Sequence, residues 1–322
     1  MTAHPERGVP ATGPGAAPER PGVVQTPDDP GPRGAIAKRA PRKWPLAWLG
    51  LVPFLLFVFA FMLLPTFSIV TGSFEDGKGN FTMDNFVHLF RPDILDSYLI
   101  TIKVSGATAL LGGLLGFLIA YAITLGGLPK PFRSFMATFS GVASNFAGVP
   151  LAFAFISTLG RVGFVTVLLR TVFGIDLYGA GFNLYSFWGL SLTYTYFQIP
   201  LMVLIITPAL DGMKKEWREA AENLGASPLQ YWARVGIPVL LPSLLAALIL
   251  LFGNAFGAYA TAYALTGGLI NLVPILIGAQ IRGNVLHDSQ LGYALAFGMV
   301  IVMTISILAY SWLQRLSSRW VK

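Results

Sequence analysis

The chain has 322 residues, of which 54% are hydrophobic and 11% charged, with a net charge of +7 and no cysteine. A soluble domain carries about 25% charged residues, so this composition indicates an integral membrane protein and excludes disulfides and cysteine-ligated metals. Six runs reach the roughly 20 apolar residues that a helix needs to cross a bilayer. They lie at 46–72, 98–125, 134–158, 185–209, 243–265 and 291–314. The predicted fold is all-α, a polytopic membrane protein with six transmembrane helices.

Residues 1–44, before the first apolar run, form a basic segment rich in proline and glycine. Such a composition has too little apolar surface to form a core and predicts a disordered tail. The apolar run begins only after the basic stretch KRAPRKW at 38–44, which is typical of an uncleaved anchor. Anionic lipid is an alternative partner for these charges. We therefore divide the chain into a tail, 1–44, and a transmembrane domain, 45–322.

Basic residues concentrate on one side of the predicted bundle. Sixteen of the 22 lysines and arginines lie in the tail, at 130–133, at 214–234 and at the C-terminus. These positions fall on the same side of six alternating helices, and the positive-inside rule makes that side cytoplasmic. Both termini and the loop 211–242 are therefore expected in the cytoplasm, and no nucleic-acid partner is needed to explain the charge.

The sequence lacks the constellations that indicate catalysis or a cofactor. His4, His88 and His287 lie far apart, and no phosphate-binding loop, nucleophile elbow or metal-ligand cluster occurs. We therefore expect no catalytic, cofactor-binding or metal-binding residues. If ATP drives this protein, a separate chain must bind it.

The second predicted helix carries a cluster of small residues, Gly112, Gly113 and Gly116. Small residues let the backbones of two membrane helices approach closely. We expect this cluster to mark a tight helix–helix contact, with a gating hinge as the less favoured alternative.

The cytoplasmic loop 211–242 interrupts the apolar sequence with strong local signals. Its first part, DGMKKEWREAAENLG, is rich in helix formers and ends at Gly225, where a helix favours a residue that tolerates positive φ. Ser227, Pro228 and Gln230 then form the pattern of a capping box with proline at the first helical position. Pro238 and Pro242 are expected to end this second helix. The loop is predicted to be a rigid bracket of two short helices.

This bracket resembles the cytoplasmic signature of the permeases of binding-protein-dependent ABC importers. Its matching positions are Glu219, Ala220, Ala221, Gly225, Ser227 and Pro238. The stretch NAFGAYATAYALTGG at 254–268 resembles the spermidine/putrescine, ferric-iron and thiamine branch of that family. The resemblance implies a type I importer permease fold and covers the chain from about residue 81 to the C-terminus, with the bracket as the coupling loop.

The same resemblance implies the partners and the solute. The first bracket helix is expected to dock on a cytoplasmic ABC ATPase dimer, with Glu219 meeting a basic partner residue. A second permease, expected to be a different chain, an extracytoplasmic solute-binding protein and a bacterial inner-membrane location are also implied. The expected solute is polyamine-like, and an aminophosphonate, ferric ion or thiamine is the nearest alternative.

Polar residues inside the predicted spans are candidates for the translocation path. They are Asn145, Tyr196, Gln198, Asn254, Tyr259 and Tyr263. Polar groups at membrane depth face the bundle interior, where they either line a pore or bond a neighbouring helix.

The predicted function is thus the permease subunit of an ATP-driven importer. The alternative is a secondary transporter driven by an ion gradient, which more often shows intramembrane ionisable residues or paired broken helices. A membrane-embedded enzyme is a distant third possibility.

Overall fold

The computed structural model describes residues 47–282 and 288–317, and the predicted tail lies outside them. Within this part, six helical segments are long and apolar enough to cross a membrane, which confirms the all-α, six-helix prediction. These segments are Gly50–Gly72, Pro92–Leu125, Gly148–Val172, Phe187–Asp211, Pro228–Phe256 and Ser289–Arg315.

The first seven α-helices cover the first half of the chain. Their bounds are α1 Ala47–Val58, α2 Leu64–Gly72, α3 Asp84–Leu89, α4 Pro92–Leu125, α5 Lys130–Asn145, α6 Gly148–Leu159 and α7 Phe164–Val172, with a π-helical segment, Phe59–Leu63, between α1 and α2. The second half contains α8 Phe187–Asp211, α9 Lys215–Asn223, α10 Pro228–Tyr231, α11 Ile237–Phe256, α12 Ala260–Thr266, α13 Val273–Arg282 and α14 Ser289–Ser317, with a second π-helical segment, Trp232–Gly236, before α11.

Helices α4 and α8 pack closely against each other. A methyl group at Gly116 would lie 2.6 Å from the backbone oxygen of Ile199, and one at Gly112 would overlap Cβ of Gln198. Gly113 faces α11 instead, where a methyl group would lie 2.6 Å from Cδ2 of Leu248. The glycine cluster therefore serves close helix packing, as expected.

The third predicted span, 134–158, consists of two helices rather than one. Helix α5 runs antiparallel to α8, with Arg133 paired to Asp211 at one end and the Phe146 ring 6.4 Å from that of Tyr196 at the other. Helix α6 follows after a break at residues 146–147. By length and hydropathy alone, α6 and α7 form the candidate span.

Arginines in and beside α7 bear on where this helix lies relative to the membrane. Arg161 lies between α6 and α7, and Arg170 lies in the last turn of α7. Because a guanidinium is costly in hydrocarbon, we expect α5 and α6 to form the third span and α7 to lie at a membrane interface. Helices α7 and α13 lie in the segments 159–184 and 266–290, which connect neighbouring predicted spans; residues 283–287 lie outside the described part.

The fifth predicted span also differs in its limits. The chain stays helical from Pro228 through the π-helical segment to Phe256, then breaks at residues 257–259 before α12. The two broken helices meet, because the backbone N–H of Gly148 donates a hydrogen bond of 2.7 Å to Oγ1 of Thr261. Two discontinuous membrane helices therefore contact each other at their breaks.

Candidate functional site

The bracket begins with α9, whose end has the geometry that the sequence predicts. Gly225 has a φ of 77°. Its N–H donates to the carbonyl of Glu222 at 2.9 Å, and the Ala226 N–H donates to that of Ala221 at 3.0 Å. This pair of bonds is a Schellman motif, which satisfies carbonyls that a helix end leaves without partners. The turn after α9 is thus fixed by the backbone.

The capping box at the next helix is also present. The side-chain oxygen of Ser227 accepts a hydrogen bond from the Gln230 N–H at 3.3 Å, and Oε1 of Gln230 accepts one from the Ser227 N–H at 2.8 Å. Two N–H groups at a helix start are therefore satisfied reciprocally. Together with the Schellman motif two residues earlier, the capping box fixes the backbone on both sides of the turn between α9 and α10, which we call the corner of the bracket.

The expectation that Pro238 and Pro242 end the second bracket helix is wrong. The helix continues through both prolines into α11. The π-helical segment explains the tolerance of Pro238: the Ile237 N–H bonds the carbonyl of Trp232, five residues earlier, so the hydrogen-bond ladder is already shifted where proline lacks a donor. The bracket is one short helix joined to the N-terminal end of the fifth spanning helix.

Exposed apolar residues surround the corner of the bracket. Leu224 is 88% exposed and Leu229 is 81% exposed, and Ala220 on α9 is also exposed. Two leucines so exposed on a charged loop are unusual unless they are covered by a partner. This corner is the part of the bracket that is best suited to protein contact.

Glu219 and Glu222 lie on the same side of α9. Both line a cavity of about 420 Å³ between α9 and the C-terminal end of α4, together with Lys214, Lys215, Arg218 and three aromatic residues, Tyr121, Tyr231 and Trp232. Glu222 accepts a hydrogen bond of 2.8 Å from Nε of Arg218, and this contact raises the pKa of the arginine. Glu219 has no salt bridge to any described residue, so its carboxylate is available to a partner.

The six path candidates separate into two groups. Gln198 is fully buried, and its Nε2 donates a hydrogen bond of 2.7 Å to the carbonyl of Leu251, so it joins α8 to α11. In the second group, Asn145, Tyr196, Asn254 and Tyr263 are exposed in the single chain, and Tyr259 is half-buried. Gln198 therefore bonds one helix to another, whereas the side chains of the second group remain candidates for lining a translocation path.

A cavity of about 290 Å³ lies at the helix breaks. It brings Asn254 and Tyr259 together with Ser144, Gly148 and Thr261, and its walls come from both broken helices. Tyr259 stacks on Tyr263 with ring centroids 5.4 Å apart. Ser144 was not among the path candidates, and the signal that locates it is the SNFAGVP stretch, where glycine and proline start a new helix.

Tyr196 belongs to a separate aromatic group. Its ring lies 6.4 Å from that of Phe146 and 5.9 Å from that of Phe155, on either side of the break in the third span. Asn145 is adjacent to the same break and bonds its own helix through the Gly141 carbonyl at 2.8 Å. The exposed polar and aromatic candidates therefore surround the breaks.

Comparison with known proteins places this geometry in context. No family model matches the chain. It is 24% identical over 267 residues to a probable sulfate transport system permease of Nephroselmis olivacea, covering 81% of this chain and 87% of the relative. It is 27% identical over 280 residues to the spermidine/putrescine transport system permease PotB of Escherichia coli, covering 81% and 95% respectively.

Solved structures share the fold. A bacterial ABC transporter that imports the acidic polysaccharide alginate superposes with a TM-score of 0.65 at 17% identity, over 84% of this chain and 95% of that one. The relatives and the shared fold together support the family that the bracket indicates. The chain is related in sequence to the permease subunits of binding-protein-dependent ABC importers and has their fold.

Proposed function

We propose that this chain couples ATP hydrolysis on a separate ATPase to solute import, and that α9 is the element that docks on the ATPase. The observation that carries the proposal is the bracket: a short, exposed, charged helix whose end is locked by a Schellman motif and a capping box. Exposed Leu224 and Leu229 at its corner supply apolar contact area, and Glu219 supplies an unpaired charge.

The connection from the bracket to the helix breaks is continuous. The segment Pro228–Phe256 is helical over 29 residues, which corresponds to about 43 Å at 1.5 Å per residue. It starts at the corner of the bracket and ends at the break that lines the 290 Å³ cavity. A displacement of α9 by the ATPase would therefore reach the proposed path through one continuous helix. A ligand shifts an equilibrium only through differential contact with two states, and docking on α9 provides that contact.

The proposed assembly contains a cytoplasmic ATPase dimer, a second permease of different sequence and an extracytoplasmic solute-binding protein, in a bacterial inner membrane. The basic residues of the loops support an orientation with both termini in the cytoplasm. In this orientation α9, Arg133 and Asp211 lie on the ATPase side, and α7 and α13 lie on the side of the binding protein.

We propose a polyamine-like cation as the solute. Tyr196, Tyr259 and Tyr263 offer aromatic faces around the breaks, and such faces attract ammonium groups. A sulfate-like anion is the second candidate because several relatives are sulfate permeases, among them CysT of Synechococcus elongatus at 28% identity over 245 residues. Uptake of labelled spermidine and labelled sulfate by cells with and without the gene decides between them.

Co-purification tests the coupling role. The permease is purified in a mild detergent with its genomic neighbours expressed, with and without a non-hydrolysable ATP analogue. We expect an ATPase subunit to remain bound, and to be lost when residues 215–223 are replaced by a flexible Gly/Ser segment of equal length. If no ATPase is retained under either condition, the coupling role is wrong.

A further inference from the structure

A second cavity, of about 580 Å³, lies on the side of the bundle that we assign as external. One face of α7 and the loops before and after it form its walls. The lining side chains are Arg161, Val162, Thr166, Val167, Arg170, Thr171, Asp176 and Tyr178. The cavity is distant in sequence from the bracket and shares no residue with the cavity at the helix breaks, so the proposed function does not use it.

Its two arginines have no carboxylate partners. Neither Arg161 nor Arg170 forms a salt bridge with any described acid, and Arg161 instead lies over the ring of Tyr178, 5.3 Å from its centroid. Asp176 also lines the cavity, but its Oδ1 accepts a hydrogen bond of 3.0 Å from the Gly179 N–H. The lining groups therefore carry one net positive charge and present two guanidinium forks.

A buried hydroxyl in the same wall also lacks a partner. Thr166 is only 5% exposed, and its Oγ1 makes no hydrogen bond. Threonine in a helix usually donates to a carbonyl three or four residues earlier, as Thr171 does to Val167 at 2.9 Å. A buried hydroxyl without a hydrogen-bond partner lowers the stability of the fold. A ligand that accepts a hydrogen bond from this hydroxyl would satisfy it.

We propose that this cavity binds an oxyanion, held by Arg161, Arg170 and the hydroxyl of Thr166. Guanidinium groups bind sulfate, phosphate and carboxylate oxygens through paired hydrogen bonds, and a hydroxyl adds one more donor. The site goes beyond the proposed function, and it does not depend on which solute the permease carries.

Two sources of oxyanion share this chemistry. Helix α7 exposes large apolar side chains beside the cavity, with Phe164 71% exposed and Phe173 65% exposed, which is typical of a helix at the membrane interface. The anion is therefore either the phosphate of a lipid headgroup or a free inorganic oxyanion.

Sulfate titration tests the site. The full chain is purified in a maltoside detergent, which carries no phosphate, and sodium sulfate is titrated by calorimetry at constant ionic strength. We expect saturable binding that weakens at least tenfold in the variant Arg161→Gln/Arg170→Gln. Arg91→Gln removes an external charge that pairs with Asp93 and serves as the matched control, with unchanged affinity. Equal sulfate affinity in all three proteins would overturn the proposal.

Two further variants distinguish an anion site from a structural role. Asp176→Asn removes the only acid of the cavity lining and should strengthen sulfate binding severalfold, whereas weakened binding would contradict an anion site. Thr166→Val keeps the shape and removes the hydroxyl. It should weaken sulfate binding by roughly fivefold while the unfolding temperature stays the same or rises, because a buried unsatisfied group is lost. Unchanged sulfate affinity in Thr166→Val would remove the hydroxyl from the site.

Native mass spectrometry identifies the source of the anion. The unaltered protein and Arg161→Gln/Arg170→Gln are extracted from membranes that contain phosphatidylglycerol. Retention of that lipid by the unaltered protein alone would support a headgroup site. Equal lipid retention together with the expected loss of sulfate affinity would support a free oxyanion.

Discussion

Replacement of Gly225 by valine should uncouple the ATPase while leaving membrane insertion intact. The residue has a φ of 77°, and no atom lies within 4 Å of the position that a Cβ would occupy. Its substitution therefore introduces no clash and tests backbone conformation alone. An L-residue in the left-handed region costs about 1–2 kcal/mol, and a β-branched side chain is the least suited to it.

The size of the effect follows from how the strain is relieved. If the Schellman turn opens to release it, α9 loses the fixed angle to Pro228 that docking requires. A cost of about 2 kcal/mol then weakens ATPase binding by roughly thirtyfold, since 1.4 kcal/mol corresponds to a factor of ten. Asparagine tolerates positive φ better than other non-glycine residues, so Gly225→Asn is the matched control.

The assay measures ATPase retention on immobilised permease across the series Gly, Asn, Ala and Val at position 225. We expect retention to fall in that order, with equal amounts of each permease in the membrane. If Gly225→Val retains as much ATPase as the unaltered chain, then α9 either is not the docking element or does not depend on its turn. If all three variants fail equally, the presence of any side chain at position 225, rather than its tolerance of positive φ, controls docking.

Three further changes test other contacts. Glu219→Lys should reduce ATPase retention more than Glu222→Lys. Glu222 is already paired with Arg218 on an exposed surface, where such a pair contributes about 0.2–1 kcal/mol. Equal retention of the ATPase by the two variants would exclude Glu219 from docking. Ser227→Ala removes a helix cap that contributes about 1 kcal/mol, so amide exchange at Gln230 should accelerate roughly fivefold by mass spectrometry. Gly116→Leu should lower the unfolding temperature or abolish membrane accumulation, because overpacking typically costs about 1–3 kcal/mol, whereas Gly106→Leu, with open space around it, should be tolerated in both assays.

The features that the sequence predicts well are those with local causes. Apolar runs indicate the number of spans because a helix needs about 20 predominantly apolar residues to cross the hydrocarbon core. The capping box at Ser227 and the positive φ at Gly225 follow from side-chain chemistry within four residues. The close contact at Gly116 was also predictable, although the identity of the partner helix was not.

The features that the sequence misses depend on distant contacts. The break before Gly148 is supported by a hydrogen bond to Thr261, 113 residues later, and the break after Phe256 by one from the Tyr194 hydroxyl to the Ala258 carbonyl at 2.6 Å. The sequence near Pro238 favours a helix end, yet the π-helical segment before it lets the helix continue. The errors at the two breaks arose where a tertiary contact replaced a local hydrogen bond, whereas the error at Pro238 arose from a local shift of the hydrogen-bond ladder.

The paired breaks raise the question of an ion-driven mechanism, because broken helices often bind Na⁺ through freed carbonyl oxygens. Here the Ala258 carbonyl, which lies in the break of the fifth helix, is already occupied because it accepts a hydrogen bond from the Tyr194 hydroxyl. Since this contact uses an acceptor that a cation would need, we expect import by the reconstituted transporter to require ATP and to be unchanged when choline replaces Na⁺ on both sides of the membrane. Measured uptake that persists without ATP and follows a Na⁺ gradient would contradict coupling through α9 and favour the breaks as an ion site.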